Sequence, residues 1–278
     1  MSNEYMIRTL DGLIKKIETL IINRSSNISC SRDYTDRLLE FLDGIRDRYG
    51  NIITIPATAV LGESDKRGDG NREKSRSIER KIISEIGAQQ CYLVSLEYYN
   101  GMPTLVVGKP DGLVFRGREV IIYEVKSLEM FRDNNKPVLN NEKVFGAIYK
   151  PILIHGLSEQ LMIYQYLFEK MISYGLINNV KRIELYGYII IYSRKNNSEQ
   201  LKEIKKEIID NIKEIGNFLR NFGVHIAGLK GLESIIIDKE EFYYLEITVG
   251  VDYKERVVRN HLNRLFGSLD RAKITRDL

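Results

Sequence analysis

The feature that most constrains the fold is a pair of short apolar segments joined by a turn, DGLVFRGREVIIYEVKS, at residues 111–127. Short stretches rich in valine, isoleucine and aromatic residues predict β-strands, and the RGR between them is typical of a tight turn. The pattern therefore predicts a β-hairpin. Three charged residues, Asp111, Glu124 and Lys126, stand among the apolar ones, although buried strands seldom carry charged side chains without partners.

The geometry of a hairpin brings these three charges together. Asp111 lies at the start of the first strand and Glu124 near the end of the second, and the two ends remote from a hairpin turn lie beside each other. Glu124 and Lys126 are two residues apart on one strand, so their side chains face the same side. We expect both carboxylates and the ammonium group to converge at one edge of the sheet.

Two explanations of such a cluster stay open on spacing alone. Close, partly buried carboxylates repel each other, and a divalent cation removes the conflict. Oxygen ligands favour Mg²⁺ or Mn²⁺, and Lys126 can orient an attacking water or stabilise negative charge as it develops. Together these are the parts that phosphodiester hydrolysis needs. The alternative is a surface salt bridge between Lys126 and one carboxylate, which is worth at most about 1 kcal/mol and needs no function.

Along the rest of the chain, segments with helical spacing of apolar residues alternate with short segments typical of β-strands. Apolar residues recur at helical spacing in six segments, at 4–23, 33–48, 72–86, 158–174, 198–222 and 252–269. Short β-branched and aromatic segments predict strands at 91–99, 104–108, 111–115, 119–127 and 182–193, and a hairpin at 234–250. The segment 182–193 is apolar nearly throughout, which predicts a central strand.

The composition of two segments predicts where the chain is divided. Residues 62–74, GESDKRGDGNREK, combine glycines with many charges and predict a loop or subdomain joint, and 131–150 predict a second loop. We expect an N-terminal helical region at 1–61, a core at 62–195 and a C-terminal helix–hairpin–helix extension at 196–278, packed on the core. This order of elements predicts an α/β fold, in which a mixed sheet is flanked by helices.

Composition excludes several classes of protein. The formal net charge of +4 permits a phosphate-rich partner without requiring one. Cys30 and Cys91 have no CxxC spacing, so we expect two reduced thiols, no zinc site and a cytoplasmic protein. No run of 18 uncharged apolar residues occurs, so we expect no membrane partner. Many isoleucines, lysines and glutamates, without tryptophan, are typical of a thermophilic source.

Several motifs resemble one nuclease superfamily. Pro110-Asp111 followed by Glu124-Val125-Lys126 resembles the PD-(D/E)XK signature, a proline–aspartate on one strand and an acid–any–lysine on the next. Gly108 to Asp111 is similar to the G-x-x-D form of RecB-like domains, including those of the CRISPR-associated and viral exonucleases. Gln160 and Tyr164 match the Q-x-x-x-Y motif of the same subgroup, on the helix after the E-x-K strand. The resemblance covers roughly residues 72–193.

The resemblance implies a restriction-endonuclease-like core with a sheet of four or five strands, and a metal-dependent deoxyribonuclease. It implies Mg²⁺ or Mn²⁺ ligands at Asp111, Glu124 and the Val125 carbonyl, with Lys126 acting on the water. The subgroup also has a metal ligand, usually histidine, on a preceding helix. By the register of that helix the matching residue is Glu79, and two other acids compete for the role, Glu73 and Glu85.

The role of the Q-x-x-x-Y motif follows from its spacing. Residues four apart share one face of a helix, so Gln160 and Tyr164 can face the same groove and position a DNA strand. Many relatives of this subgroup hold an iron–sulfur cluster on four cysteines. This chain has only two cysteines, so no such cluster is expected.

The expected partner is DNA, either single-stranded or at a duplex end. The sequence leaves open whether the protein forms a homo-oligomer. Basic residues of the last helix could bind a phosphate backbone, although a solvated amphipathic helix explains them equally well: Lys254, Arg256, Arg259 and Arg264. The resemblance favours an exonuclease or single-strand-directed enzyme. Two alternatives are a structure-specific endonuclease that cuts junctions or flaps, and an inactive nucleic-acid-binding or assembly protein.

Overall fold

A computed structural model describes residues 8–22, 31–59, 69–129, 142–195, 198–237 and 239–274. Within these residues the chain is a mixed α/β structure built around two mixed β-sheets. The expected single sheet of four or five strands is therefore replaced by two, because strands that are consecutive in sequence separate into different sheets.

The helices and strands follow one another along the whole described chain. The helices are α1 (Leu10–Ile22), α2 (Arg32–Tyr49), α3 (Asp69–Glu85), α4 (Glu142–Tyr149), a π-helix (Lys150–Ile154), α5 (Leu157–Ser173), α6 (Ser198–Asp210), α7 (Ile212–Arg220) and α8 (Glu255–Ile274). The strands are β1 (Arg8–Thr9), β2 (Ile53–Pro56), β3 (Leu93–Tyr99), β4 (Met102–Gly108), β5 (Gly112–Arg116), β6 (Glu119–Glu129), β7 (Arg182–Arg194), β8 (Val224–Leu229), β9 (Glu233–Ile237) and β10 (Glu240–Val251).

The larger sheet has the strand order β5-β6-β7-β10-β8, with β9 paired to one half of β10. Strands β6 and β7 run parallel, and the other neighbours run antiparallel. The middle of β7 is buried on both faces, since Ile189, Ile190, Ile191 and Tyr192 are all inaccessible to solvent. The prediction of a central strand at 182–193 is confirmed.

The smaller sheet has the order β1-β2-β4-β3 and draws on two distant parts of the chain. Strand β2 pairs in parallel with β4, while β3 and β4 form an antiparallel hairpin. Asn100 and Gly101 make the hairpin turn with positive φ angles of 49° and 76°, as a two-residue turn of the primed type requires. The chain then leaves this sheet at Gly108 and enters the larger one at Gly112, so residues 109–111 connect the two sheets.

Helix α5 lies between the two sheets and packs against β3 of one and against β6 and β7 of the other. Its buried residues occupy several sides of the helix, as this position requires: Leu157, Leu161, Met162, Ile163, Leu167, Phe168 and Met171. Helix α3 covers the opposite face of the larger sheet, where Ile78 and Ile82 belong to a core cluster with Tyr123 and Val125. Residues of β6 therefore alternate between the α5 face and the α3 face.

Several sequence-based boundaries are corrected by the structure. The single helix expected at 198–222 is two helices, α6 and α7, separated at Asn211, whose φ of −104° and ψ of 7° are not helical. Strands β1, β2 and β8 were not predicted, and the first two lie in the N-terminal region that was expected to be helical. The second part of the loop expected at 131–150 is helical, because α4 begins at Glu142 and the π-helix follows it at Lys150. Residues 130–141 lie outside the described part of the chain. Of the joint expected at 62–74, residues 69–74 belong to α3, and residues 62–68 lie outside it.

The prediction of two reduced thiols is wrong. Cys91 is buried and disulfide-bonded. The other cysteine of the chain, Cys30, lies outside the described residues. Spacing along the sequence does not reveal which cysteines tertiary packing brings together. Within the described residues, no helix is both long enough and apolar enough to cross a bilayer.

Candidate active site

Asp111 lies where the chain passes from one sheet to the other, directly before β5. The hairpin register pairs Gly112 with Tyr123, so Asp111 lies opposite Glu124, as hairpin geometry predicts. The backbone N–H of Val125 donates to Oδ2 of Asp111 at 2.8 Å. Burial raises the pKa of Asp111, while the charge of Lys126 and the Val125 N–H act in the opposite direction.

Glu124 is a buried carboxylate, with only 3% of its surface exposed. It is on the α5 face of β6, next to Gly187 of β7 in the parallel register. Burial, followed by repulsion from Asp111, raises the pKa of Glu124 to about 8. Its Oε1 accepts a hydrogen bond from Lys126, whereas its buried Oε2 has no hydrogen-bond partner of ordinary geometry among the described residues, although the backbone N–H and the carboxyl group of Asp111 act on the same carboxylate. A buried carboxylate oxygen without a partner is costly and calls for an explanation.

Lys126 links the two carboxylates to helix α5. Its Nζ donates to Oε1 of Glu124 at 2.7 Å and to Oε1 of Gln160 at 2.9 Å. Burial alone would lower the pKa of this ammonium, but the carboxylates of Glu124 and Asp111 outweigh it and raise the pKa above its usual value. Lys126 is therefore held in its charged form. An ammonium group has three N–H donors, so one remains for a ligand.

Gln160 and Tyr164 continue the hydrogen-bonded chain along one face of α5. Nε2 of Gln160 donates to the Tyr164 hydroxyl at 2.8 Å, and that hydroxyl donates to the backbone carbonyl of Lys109 at 3.3 Å. Both side chains are buried. Sequence reasoning expected them to contact a DNA strand, whereas this geometry favours a role in positioning Lys126 and the 109–111 connection.

Gly108 explains how α5 can approach that connection. A Cβ atom at this position would lie 2.7 Å from a methyl carbon of Leu167 and 2.9 Å from the ring of Tyr164. Real Cβ contacts are not that short, so only glycine permits this packing. The glycine of the G-x-x-D motif and the tyrosine of the Q-x-x-x-Y motif are thus in direct contact.

Glu79 lies on the other face of the sheet from Glu124. Its Oε1 accepts a hydrogen bond from the Ser127 hydroxyl at 2.7 Å. Burial raises the pKa of Glu79, and the charges of Asp111 and Lys126 also act on it, so it is near the cluster without touching either carboxylate. Ser127 was missed by the sequence analysis, although strand alternation places it on the α3 face, where Glu79 lies.

Glu73 and Glu85, the two other acids considered for the metal-ligand role, also belong to α3. Oε1 of Glu85 is 3.7 Å from Nζ of Lys81 on the same helix. The charge of Glu85 acts on Lys230 and Glu246, at a distant part of the sheet. The side chain of Glu73 lies outside the described residues. Of Glu79 and Glu85, Glu79 is the one on which the charges of Asp111 and Lys126 act.

The residues present fit a hard divalent cation. Oε2 of Glu124 has no hydrogen-bond partner among the described residues, and Asp111 lies beside it. The backbone N–H and C=O of a strand residue point to the same side of the strand. Because the Val125 N–H donates to Asp111, the Val125 carbonyl also faces Asp111. Within the described residues, no group of three or more acidic, histidine or cysteine side chains is arranged to hold a metal ion. Mg²⁺ characteristically uses one or two carboxylates and retains several waters, so two carboxylates and a carbonyl suffice for it.

The four basic residues proposed to bind a phosphate backbone differ in their ion-pair partners and in their neighbours. Arg264 pairs with Glu159, next to Gln160 on α5, whereas Arg259 pairs with Glu255 on its own helix at 2.6 Å. Arg256 is exposed. Lys254 directly precedes α8 and lies beside Gly223. The ion pairs of Arg259 and Arg264 compete with any phosphate for these two guanidinium groups.

His261 of α8 was also missed by sequence reasoning. It is fully buried, with Nε2 2.5 Å from the carbonyl of Ala57 and Nδ1 3.2 Å from Oε1 of Glu159. Burial lowers the pKa of this imidazole. Its contacts anchor α8 to α5 and to the residue after β2, which is a structural role.

Comparisons of this chain with protein-family models, with curated proteins and with solved structures find no match.

Proposed function

We propose that the protein is a Mg²⁺- or Mn²⁺-dependent deoxyribonuclease with a restriction-endonuclease-like core. The observation that carries the proposal is the buried Oε2 of Glu124, which has no hydrogen-bond partner among the described residues although Asp111 lies beside it. A surface salt bridge does not explain this arrangement, since an exposed pair would not place a carboxylate at 3% exposure with one oxygen unpartnered.

A divalent cation bound there would supply a Lewis acid for the phosphate oxygens and would lower the pKa of its bound water. Asp111, Glu124 and the Val125 carbonyl would hold it. Lys126 is charged, so it donates its remaining N–H to the attacking water or to a phosphate oxygen and does not act as the base. Hydrolysis forms a bond from the water oxygen to phosphorus and breaks the bond from phosphorus to the leaving oxygen. The proton lost by the water passes to solvent, and the leaving oxygen takes up a proton from solvent.

Gln160 supports this chemistry indirectly. It fixes one N–H of Lys126, and Tyr164 fixes Gln160, so the direction of the remaining N–H is determined before a substrate arrives. Such preorganisation of a charged donor is an established source of rate enhancement. The preference for exonuclease or single-strand-directed action over a structure-specific endonuclease rests on the resemblance of the motifs to RecB-like nucleases.

The proposal is tested by cleavage of end-labelled single- and double-stranded DNA with Mg²⁺, Mn²⁺ or EDTA. Wild-type protein should cut with a metal and not in EDTA, and Glu124→Gln and Lys126→Ala should each lose at least about a hundredfold in rate. Cutting of gapped circles or four-way junctions without free ends would identify the endonuclease. Wild-type protein that binds DNA and never cuts with either metal would instead indicate the inactive binding protein.

A further inference from the structure

Two lysines from distant parts of the chain meet at one aromatic ring beside the candidate site. The Nζ atom of Lys109 lies 5.6 Å from the ring centroid of Tyr92, and the Nζ of Lys16, on α1, lies 6.0 Å from the same centroid. Both distances are within the range of cation–π attraction. We call these three residues the lysine–tyrosine cluster.

The two ammonium groups lack the partners that other lysines of the protein have. Lys74 and Lys195 lie 2.8 and 2.7 Å from glutamate oxygens. Over the part of the chain that the structure describes, no ion pair involves Lys16 or Lys109. Both side chains are exposed. Two like charges near one ring repel each other, and a bound anion would relieve that repulsion.

Tyr92 is held in place by the fold. Its backbone carbonyl accepts a hydrogen bond from the Tyr34 hydroxyl of α2 at 2.5 Å, and it directly precedes β3. The ring is half-buried. It therefore offers a fixed surface to which both flexible lysine side chains are drawn, and this lowers the entropic cost of placing two cations together.

The cluster is connected to the candidate site through the backbone. Lys109 belongs to the 109–111 connection between the sheets, and its carbonyl accepts the hydrogen bond from Tyr164. Asp111 is two residues further along, and its charge acts on Lys109. An anion bound by the lysine–tyrosine cluster would therefore be one of the phosphates close to the one that is cleaved.

We propose that Lys16 and Lys109, placed by Tyr92, bind a single backbone phosphate of the DNA strand that leads into the site of Asp111 and Glu124. This inference rests on the proposed function, because the phosphate belongs to its substrate. It assigns a DNA-binding site to the N-terminal helix and the 109–111 connection. The candidates from the sequence were basic residues of the last helix, for which a solvated amphipathic helix is an equal explanation. Positively charged positions along a backbone track, combined with aromatic rings, are the usual means of holding single strands.

The test is the affinity of the full chain for a fluorescein-labelled single-stranded deoxythymidine oligonucleotide in EDTA, measured at several salt concentrations. Lys16→Ala and Lys109→Ala should each weaken binding about three- to tenfold. Each should also reduce the slope of log affinity against log salt by about 0.7, the value for one lost phosphate contact on a single strand. Because both lysines bind one phosphate, the double variant should reduce the slope no further and should lose less affinity than the two single losses multiplied.

Lys15→Ala is the matched control, because it removes one exposed positive charge from the same helix without a contact to Tyr92. It should bind as the wild type does. Equal losses in Lys15→Ala and Lys16→Ala would overturn the inference, since the effect would then be one of net charge. Unchanged binding in both cluster variants would also overturn it.

Cleavage with metal separates this inference from the proposed function. If the wild type cuts and the cluster variants bind and cut as it does, the nuclease stands and the cluster is rejected. If the cluster variants show the predicted losses of affinity and slope and the wild type does not cut, the cluster stands as a phosphate site and the nuclease is rejected. In an active enzyme the cluster variants should raise KM more than they lower kcat, because they remove contacts made equally with substrate and transition state.

Discussion

The Nζ atom of Lys126 donates a hydrogen bond to Oε1 of Gln160 at 2.9 Å and so joins strand β6 to helix α5. The same ammonium holds Glu124 at 2.7 Å. The position of the charged donor therefore depends on a helix that contributes no carboxylate to the cluster. Glutamine at this position can accept from Lys126 and donate to Tyr164 at once, which neither an ionised carboxylate nor an apolar residue can do.

Replacing Gln160 by leucine should impair cleavage more than stability. The change preserves approximate volume but removes the acceptor for Lys126 and the donor to Tyr164. We expect kcat to fall about ten- to a hundredfold with a smaller change in KM, because misplacement of a catalytic group by about 1 Å has effects of this size. Gln165→Leu is the control, since Gln165 lies on the same helix and donates a side-chain hydrogen bond to Glu169, away from Lys126 and Tyr164. Equal kinetics in the two variants would show that Gln160 has no positioning role.

The hairpin and the carboxylate pair could be predicted from sequence because they are local. Asp111 and Glu124 are opposed through one short turn, so the register of β5 and β6 follows from the position of the turn alone. Strand alternation likewise places Glu124 and Lys126 on one face. For such contacts, the alternation of strand side chains and the position of the turn determine which residues face each other.

The lysine–tyrosine cluster and the second sheet could not be predicted in this way. Lys16 meets Tyr92 only because α1 and the start of β3 belong to the same side of the fold, and β2 pairs in parallel with β4 across about fifty residues. Parallel pairing leaves no turn signal. A four-residue strand such as β2 carries little periodicity, so its neighbour is set by tertiary packing.

Gly108→Ala should destabilise the protein and reduce cleavage together. The added methyl group would overlap the ring of Tyr164 and a methyl carbon of Leu167, and overpacking of this kind costs about 1–3 kcal/mol. Tyr164 would move, and the hydrogen bonds to Gln160 and Lys109 would lengthen. The measurements are the midpoint of thermal unfolding and the cleavage rate.

Gly44→Ala is the control for that substitution. Gly44 lies in α2, and a Cβ there meets nothing within 4 Å. Alanine should stabilise this helix by up to about 1 kcal/mol and leave cleavage unchanged. If Gly108→Ala had no larger effect than Gly44→Ala on the unfolding midpoint and the cleavage rate, the close packing of Tyr164 on Gly108 would be contradicted.

Glu79→Gln should raise the Mg²⁺ concentration needed for half-maximal cleavage. Glu79 accepts a hydrogen bond from Ser127 directly after the E-x-K motif, and the charge of Asp111 acts on Glu79. Groups that support metal ligands in this way typically contribute ten- to a hundredfold in metal affinity. Glu85→Gln, a neutralisation on the same helix away from the site, should leave the Mg²⁺ titration unchanged. Matching titration curves for both variants would remove Glu79 from the metal site.

Glu246→Gln should stabilise the protein at neutral pH. Burial raises the pKa of Glu246, and the nearby Lys230, 3.0 Å from Oε1, only partly offsets this. A carboxyl with a raised pKa in the folded state contributes stability below its unfolded pKa of about 4.3, and this is lost as pH rises through the folded value. Neutralising it should therefore increase the free energy of unfolding at pH 7, with little change at pH 4.

Glu240→Gln should show the opposite pH dependence. A hydrogen bond from Lys74 lowers the pKa of the exposed Glu240. Its contribution to stability is present above the unfolded pKa and is lost as pH falls through the folded value. The variant should be slightly less stable than the wild type at pH 7 and equal to it in acid. Unfolding curves at pH 4 and pH 7 that respond alike to both substitutions would contradict these assignments.

Mn²⁺ should stabilise the fold even when no substrate is present. Burial and the carboxylate of Asp111 together raise the pKa of Glu124 to about 8, so the empty cluster opposes ionisation, and a bound cation removes that penalty. At a hundred times its Kd, a ligand of the folded state contributes about 2.7 kcal/mol, which corresponds to a rise of about 5 °C or more in Tm for a chain of this size. Glu124→Gln and Asp111→Asn should lose this shift, whereas Glu246→Gln, which neutralises a buried glutamate elsewhere, should keep it. A wild-type Tm that is the same in Mn²⁺ and in EDTA would leave the unpartnered oxygen of Glu124 without a cation to explain it.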